Sequence, residues 1–189
     1  MTFNKVVFDI ETTMTADKIW CIVCKHGDTY YQFKEDRLHR FAELIKQTDE
    51  VIGHNIIGFD IPVVNTIFGY DVFANCKVTD TLVLSRLLNP MIDGGHSLRN
   101  WGTKLGQNKI HFEQFDYFSE DMLTYCRNDV ELTERLYKFL SSKTKDFGQS
   151  IELEHRVAQI IQKQHERGFK INVVEAYELQ SKFQEDMND

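Results

Sequence analysis

Two carboxylates, Asp9 and Glu11, interrupt the apolar, β-branched run V-V-F-D-I-E-T-T at residues 6–13. On a strand, side chains two positions apart leave the same face, roughly 6–7 Å apart. Val7, Asp9 and Glu11 therefore point one way, and Val6, Phe8 and Ile10 the other. Burying a lone carboxylate is costly unless it is paired, hydrogen-bonded or bound to a metal. Taken alone, the pair is explained by a strand end whose acids meet solvent or a basic partner. Two further stretches shift the balance. G-H-N-I-I-G-F-D (53–60) places Asp60 near a helix start, where it can also serve as a cap. Y-C-R-N-D (125–129) sets Tyr125 and Asp129 at i and i+4 on one helix face, where Tyr125 by itself would read as a core residue.

Other chemistry-bearing residues have simpler explanations. W-C-I-V-C-K (20–25) has the outline of a redox Cys-x-x-Cys element, but Ile22 and Val23 place it in a strand, without the helix N-terminus that lowers a thiol pKa. Zinc is disfavoured because the chain has no second Cys-x-x-Cys or His pair at ligand spacing. His54, beside Asn55, fits either a substrate contact or a hydrogen-bonded structural histidine, and His96, at the start of a helix-cap region, reads as structural. Trp101 reads as core rather than as a base-stacking platform. Asp80, at a strand-to-helix junction, reads as a helix cap and not as a ligand.

The elements that must position these groups follow from periodicity. Strands are expected at 4–10, 19–24 and 29–33, with a Gly27-Asp28 turn between the last two. An amphipathic helix is expected at 36–47, with Leu38, Phe41, Leu44 and Ile45 on its stripe. A buried strand at 51–53 precedes a helix at 59–68, whose first turn tolerates Pro62. A strand at 77–79 leads into a helix at 80–88. Ser97 caps a short helix that ends at Gly106. Residues 107–117 have no period. Ser119, followed by Glu120 and Asp121, opens a long helix to about Leu140. K-T-K-D-F-G-Q-S (143–150) is the linker candidate, followed by a helix at 151–167, a stop at Gly168, and an Asn172-x-x-Glu175 capping box that starts a last helix. This order suggests an α/β fold with a mixed sheet flanked by helices.

At 189 residues and 42% hydrophobic, the chain can bury one sizeable core with an appendage. No apolar run approaches the length of a membrane span. Four irregularly spaced cysteines suit reduced thiols in a cytoplasm. A net charge of −7 argues against generic nucleic-acid binding through Lys and Arg, but not against a nucleic-acid enzyme whose positive charge arrives as metal ions.

F-D-I-E-T, H-N-I-I-G-F-D and Y-C-R-N-D, in this order, resemble the three motifs of the DEDD 3′–5′ exonucleases, in the subclass with a motif-three tyrosine. D-T-L-V-L-S-R-L-L (80–88), H-S-L-R-N-W-G-T-K-L-G (96–106) and I-E-L-E-H-R-V-A-Q-I-I-Q-K-Q-H-E-R-G-F-K-I-N (151–172) extend the resemblance over nearly the whole chain. They resemble the proofreading region of family-A replicative DNA polymerases of short-tailed phages. Asp60 stands five positions after Asn55, a spacing that suits the phage type.

The resemblance implies a ribonuclease-H-like fold in which Asp9, Glu11, Asp60 and Asp129 converge. Physical chemistry reaches the same point separately, since clustered carboxylates repel and divalent cations relieve them. Mg²⁺ or Mn²⁺ prefers hard oxygen ligands, and two such ions about 4 Å apart stabilise both oxygens of a phosphodiester displacement. By the resemblance, Asp9 bridges both ions, Glu11 and Asp129 complete the first site, and Asp60 holds the second. Tyr125 orients the attacking water. Thr12 to Met14 and Asn55 lie near the terminal nucleotide.

The resemblance further implies an exonuclease domain at 1–145 and a helical extension at 146–189 leading toward a polymerase domain. Its expected partner is a single-stranded or frayed DNA 3′ end, in the cytoplasm of a phage-infected host. All the expected ligands precede Val130, so residues 151–189 are expected to be dispensable for the site. Ala176, Leu179, Phe183 and Met187 form an apolar stripe that either docks a missing polymerase part or packs on its own domain. Two competing functions are a standalone exonuclease trimming RNA or single-stranded DNA, and a catalytically weak nucleic-acid-binding module. The presence of all four carboxylates and Tyr125 counts against decay to the module.

Overall fold

The computed structural model describes residues 2–188. Three strands, β1 (Phe3–Thr12), β2 (Ile19–His26) and β3 (Thr29–Lys34), form an antiparallel ladder. A 3-10 turn at Glu35–Arg37 leads into α1 (Leu38–Ile45), and β4 (Thr48–Gly53) then pairs parallel with β1. After α2 (Asp60–Phe68), β5 (Lys77–Asp80) pairs parallel with β4. The sheet order is β3-β2-β1-β4-β5, so β1 is the central strand. The helices α3 (Thr81–Leu88), α4 (Leu98–Leu105), α5 (Glu120–Lys143), α6 (Gly148–Arg167) and α7 (Val173–Asn188) complete the chain. This mixed sheet flanked by helices is the expected fold class.

The period-2 alternation of β1 divides the core. Val6, Phe8 and Ile10 pack with α1 and α2 through Phe41, Ile45, Val63 and Val64. Val7 faces the other way, against Met122, Leu123, Cys126 and Val130 of α5. The distal half of α5 carries Leu132, Leu136 and Leu140 onto Leu84 of α3 and Trp101 of α4. Trp101 is core, as expected. Ser97 and Ser119 accept hydrogen bonds from Asn100 N and Met122 N and so cap α4 and α5. Gly106 ends α4 in the left-handed region at φ 70°.

Several boundaries differ from the sequence reading for identifiable reasons. The helix expected at 36–47 is split by the 3-10 turn and closes at Ile45, with Gln47 N bonded to Leu44 O. β4 starts at Thr48, not Val51, because Asp49 and Glu50 belong to the strand. Glu50 is buried there, held by Lys5 at 3.0 Å, Lys77 at 3.4 Å and the Thr79 hydroxyl at 2.6 Å. A hydrophobic pattern cannot register a strand whose buried side chain is an ion-paired glutamate.

The linker candidate 143–150 comprises the last residue of α5, a four-residue connection at 144–147, and the start of α6. Thr144 is buried and donates to Leu140 O at 3.0 Å. The first turns of α6 lie on the core, with Ile151 against the α3–α5 cluster and His155 buried. In α7, every residue with a described side chain is exposed, including Leu179, Phe183 and Met187 of the apolar stripe. No helix among the described residues is long and apolar enough to cross a membrane.

Where β4 ends, the backbone of Gly53 passes close to its neighbours. A β-carbon there would fall 2.0 Å from Ile56 Cγ2 and 3.2 Å from Phe8 O. Gly53→Ala is expected to lower stability by about 1–3 kcal/mol through overpacking. Thermal melting checks this, and an unchanged midpoint would contradict the packing.

Candidate active site

The carboxyl ends of β1, β4 and β5 open on the same side of the sheet, the edge where α/β folds gather ligands. Asp9 and Glu11 stand near the end of β1, on its α5-facing side, opposite Val23 and Cys21 of β2. A register shift follows at once between Glu11 and Thr12. Asp60 is the first residue of α2. Tyr125 and Asp129 lie one turn apart on α5, the face that packs on β1. The five sequence-selected residues are therefore brought to one place by three separate segments.

Glu11, Asp60 and Asp129 are buried, and Asp9 is only partly exposed. Loss of water raises the carboxyl pKa of all four. Glu11 is pushed up to about 9, by burial first and then by Cys21 and Asp129. Asp60 is raised to about 7, with hydrogen bonds from the Asp60 and Ile10 backbone acting against its burial. Asp9 is driven well up by burial and by the charges of Asp129, Asp60 and Glu11. The phenol of Tyr125 is pushed up to about 12, chiefly by burial and then by Asp129, so it keeps its proton at neutral pH.

Lys109 offsets part of this repulsion, and Arg99 adds to that offset at Asp129. Lys109 Nζ sits 2.6 Å from Asp129 Oδ2 and 4.7 Å from the Tyr125 ring centre. Sequence reading missed it because Lys109 lies in the irregular stretch 107–119, which has no period to place it. The same stretch brings Phe112 against Tyr125, with ring centres 5.4 Å apart and nearly parallel. Cys126 was also missed. Its Sγ lies 3.4 Å from Asp9 O and 3.5 Å from Asp9 Oδ2.

Asp129 Oδ1 is buried with no hydrogen-bond partner, the one such side-chain atom among the described residues. Ligand atoms from Asp9, Glu11 and Cys126 lie within 4.8 Å of one another. Asp60 and Asp129 lie outside that 4.8 Å group, though their charges reach Asp9. The orphaned oxygen of Asp129 is a donor of the kind a hard divalent cation prefers.

Thr12, Met14 and Glu11 line a cavity of about 260 Å³ with Phe59 and Phe115. Asn55 is not part of its wall. Its backbone turns through the left-handed region at φ 64°, a conformation asparagine tolerates, and its carbonyl accepts from Gly58 N and Phe59 N. A larger cavity of about 690 Å³, between α2 and α6, holds none of the clustered carboxylates.

The residues set aside on sequence behave structurally. His54 Nδ1 meets Thr81 Oγ1 at 2.8 Å, and burial lowers its pKa to about 4. His96 Nδ1 meets Ser85 Oγ at 2.7 Å, and that hydroxyl also accepts from Trp101 Nε1. Cys21 and Cys24 are free thiols packed into opposite faces of the sheet. Asp80 does cap α3 through Leu82 N at 2.9 Å, and its carboxylate also accepts from Asn55 N at 2.8 Å and Ile57 N at 3.0 Å.

No protein-family model matches the chain. A DNA-directed DNA polymerase of Enterobacteria phage T3 is 23% identical over 247 residues, covering 92% of this chain. The chain spans about a third (34%) of that relative's length. Among solved structures, NrnC of Brucella melitensis aligns over 85% of this chain and 81% of its own, at 21% identity and a TM-score of 0.61. The same protein has been solved bound to pGG (19% identity, 85% and 80% covered, TM-score 0.62) and with bound Mg²⁺ (21%, 85% and 81%, 0.59). The EXO domain of Aedes aegypti Nibbler aligns over 80% of this chain and 85% of its own, at 14% identity and a TM-score of 0.63. These likenesses show a ribonuclease-H-like fold.

The cluster's electrostatics set a pH dependence. Glu11 and Asp60 bind protons more tightly folded than unfolded. Metal-free stability is therefore fullest below their ordinary values and is lost as pH rises, from 3.8 through about 7 for Asp60 and from 4.5 through about 9 for Glu11. Divalent ions need the deprotonated ligands. Melting of the metal-free protein is expected to occur at falling temperature between about pH 5 and pH 9, while the rise caused by Mn²⁺ grows. At a hundredfold excess over Kd, that rise corresponds to about 2.7 kcal/mol. A Mn²⁺ effect that is flat across this range would contradict metal binding by these acids.

Proposed function

We propose that the chain is a divalent-metal-dependent 3′–5′ exonuclease of the DEDD type that removes nucleotides from single-stranded or frayed DNA ends. In this reading it is the proofreading part of a phage replicative polymerase. The carrying observation is the buried carboxylate cluster from β1, α2 and α5, with Asp129 Oδ1 left without a partner. The match to the phage polymerase across 92% of the chain supports the proofreading context.

Asp9, Glu11 and Asp129 would hold one ion, and Asp9 with Asp60 a second. When bound, Mg²⁺ or Mn²⁺ supplies positive charge to the attacking and leaving oxygens of the phosphodiester. The rest of the work belongs to the chain. Tyr125, protonated at neutral pH, presents its hydroxyl to the attacking water and orients it without serving as a strong base. Phe112 stacks on that ring and restricts it. Met14, Phe59 and Phe115 give the terminal nucleotide apolar surface, and aromatic rings accept any base by stacking. Thr12 and Asn55 offer polar groups near the same end of the sheet. With Lys109 on Asp129, the site keeps one compensating charge while the carboxylates are free.

A second reading rests on one observation: NrnC, of similar fold, is bound to pGG. Under it, the chain is a standalone enzyme trimming short oligonucleotides, RNA included.

Gel analysis of 5′-labelled DNA and RNA strands, and of a dinucleotide, with Mg²⁺, Mn²⁺ or EDTA separates the two. A metal-dependent ladder shrinking from the DNA 3′ end is expected, and Asp9→Ala is expected to abolish it while the protein stays folded. A tenth of wild-type activity surviving in clean Asp9→Ala protein would refute the shared-ligand role. Preference for RNA or the dinucleotide would favour the second reading.

Tyr125→Phe is expected to cost less than Asp129→Ala, since the first removes only an orienting hydroxyl. Lost acid–base assistance is worth about 100- to 10,000-fold. Single-turnover rates with saturating metal test the order, and equal losses with metal binding intact in both variants would contradict these roles.

A further inference from the structure

Asp80, the last residue of β5, spends its carboxylate on backbone amides. Asp80 is buried, and both its oxygens are taken by backbone amides: Oδ1 by Asn55 N (2.8 Å) and Leu82 N (2.9 Å), Oδ2 by Ile57 N (3.0 Å). Two of these amides belong to the turn after β4. From that turn hangs the first turn of α2: Gly58 N and Phe59 N bond to Asn55 O, and Ile61 N bonds to Ile56 O. Asp60 lies between them. The position of Asp60 therefore depends on where Asp80 holds residues 55–57.

What holds Asp80 comes from the far end of the chain. The Asp80 backbone N–H donates to His155 Nε2 on α6 at 2.8 Å. A backbone amide can only donate, so Nε2 is the acceptor. Nδ1 therefore carries the proton and donates to Ile151 O at 2.7 Å, one turn back on the same helix. His155 is itself buried, and Ile151 is anchored in the α3–α5 cluster. Its ring is thus fixed at both nitrogens. The path from helix to site is continuous: Ile151, His155, Asp80, the 55–57 turn, Asp60.

We propose that His155 is a positioning residue of the exonuclease site, acting through Asp80 to set the turn that aims Asp60. The inference rests on the exonuclease reading above. It reverses, for the first turns of α6, the expectation that residues after 150 are dispensable. Its logic is that of outer partners of ligands generally, whose loss weakens metal affinity or activity without removing a ligand.

The test uses the full 189-residue chain with His155→Gln, His155→Asn and His155→Ala. Gln can place an amide oxygen where Nε2 stood and keep the Asp80 bond. Asn is one methylene shorter, reaches only the Nδ1 position and loses that bond. In metal-free protein, amide hydrogen exchange at Asn55 and Ile57 is expected to quicken in the Asn and Ala variants and to stay slow in Gln. Mn²⁺ affinity, read from direct titration, and kcat are each expected to fall about 10- to 100-fold in Asn and Ala. KM for DNA should be unchanged, and Gln should stay near wild type. Equal behaviour of Gln and Ala, or wild-type exchange and Mn²⁺ affinity in Ala, would overturn the proposal. So would failure of both Asn and Ala to fold, which would make His155 purely structural. If the wild-type chain binds Mn²⁺ but degrades no strand, the exonuclease reading fails, while exchange and affinity still decide the role of His155. A wild-type chain that binds no Mn²⁺ overturns both.

Discussion

Mutual repulsion among four poorly hydrated carboxylates is the constraint around which the rest of the molecule is arranged. Asp9, Glu11, Asp60 and Asp129 come from three segments, and burial raises the pKa of each. Left alone, such a cluster would drive β1, α2 and α5 apart or take up protons. Lys109 offsets part of the charge, and protonation or divalent cations can offset the rest. The fold must hold these segments together against the force that the cluster exerts.

It does so with apolar packing on both faces of the sheet and with polar clamps away from the cluster. On one face, Phe8 meets Phe41 and Phe73 in an aromatic core directly behind the acids. On the other, α5 is pinned to the β2–β3 ladder by three contacts. Lys25 pairs with Glu134 at 2.6 Å, both mostly buried. Tyr30 donates to Glu131 at 2.7 Å, and Arg127 lies 4.0 Å over the Tyr30 ring. These contacts lie within two turns of Asp129 along α5. They fix the rotation and height of the helix, and hence which side chains it presents to β1. Exposed ion pairs add little stability, but a set of partly buried ones spaced along a helix can define its register.

The C-terminal segment divides in an unexpected place. The connection at 144–147 is tight, and α6 begins on the core, where His155 reaches Asp80. Farther along, Ile160 and Ile161 of α6, then Phe169 and Ile171, and then α7 are exposed. The change from packed to open occurs within α6, not at the composition change before it. Apolar side chains continue through the exposed part, so hydrophobicity alone cannot mark where packing stops.

Much of the site was legible because it obeys local periodicities. A period of two put Asp9 and Glu11 on one face of β1, and a helical turn put Tyr125 and Asp129 on one face of α5. Serines at positions 97 and 119 announced their helices because a cap bonds within three residues. These relations are carried by a few neighbouring residues, and any chain with those residues would tend to form them. Other features depend on contacts between remote segments. Lys109 finds Asp129 from a patternless stretch, Glu50 is a buried strand residue only because Lys5 and Lys77 flank it, and His155 meets Asp80 across 75 positions. Polar partners of this kind have no period to reveal them, since each is favourable only once burial has removed water from both groups. The sequence by itself therefore determined which side chains share a face. Tertiary structure decided which buried charges and amides would be satisfied, and by whom.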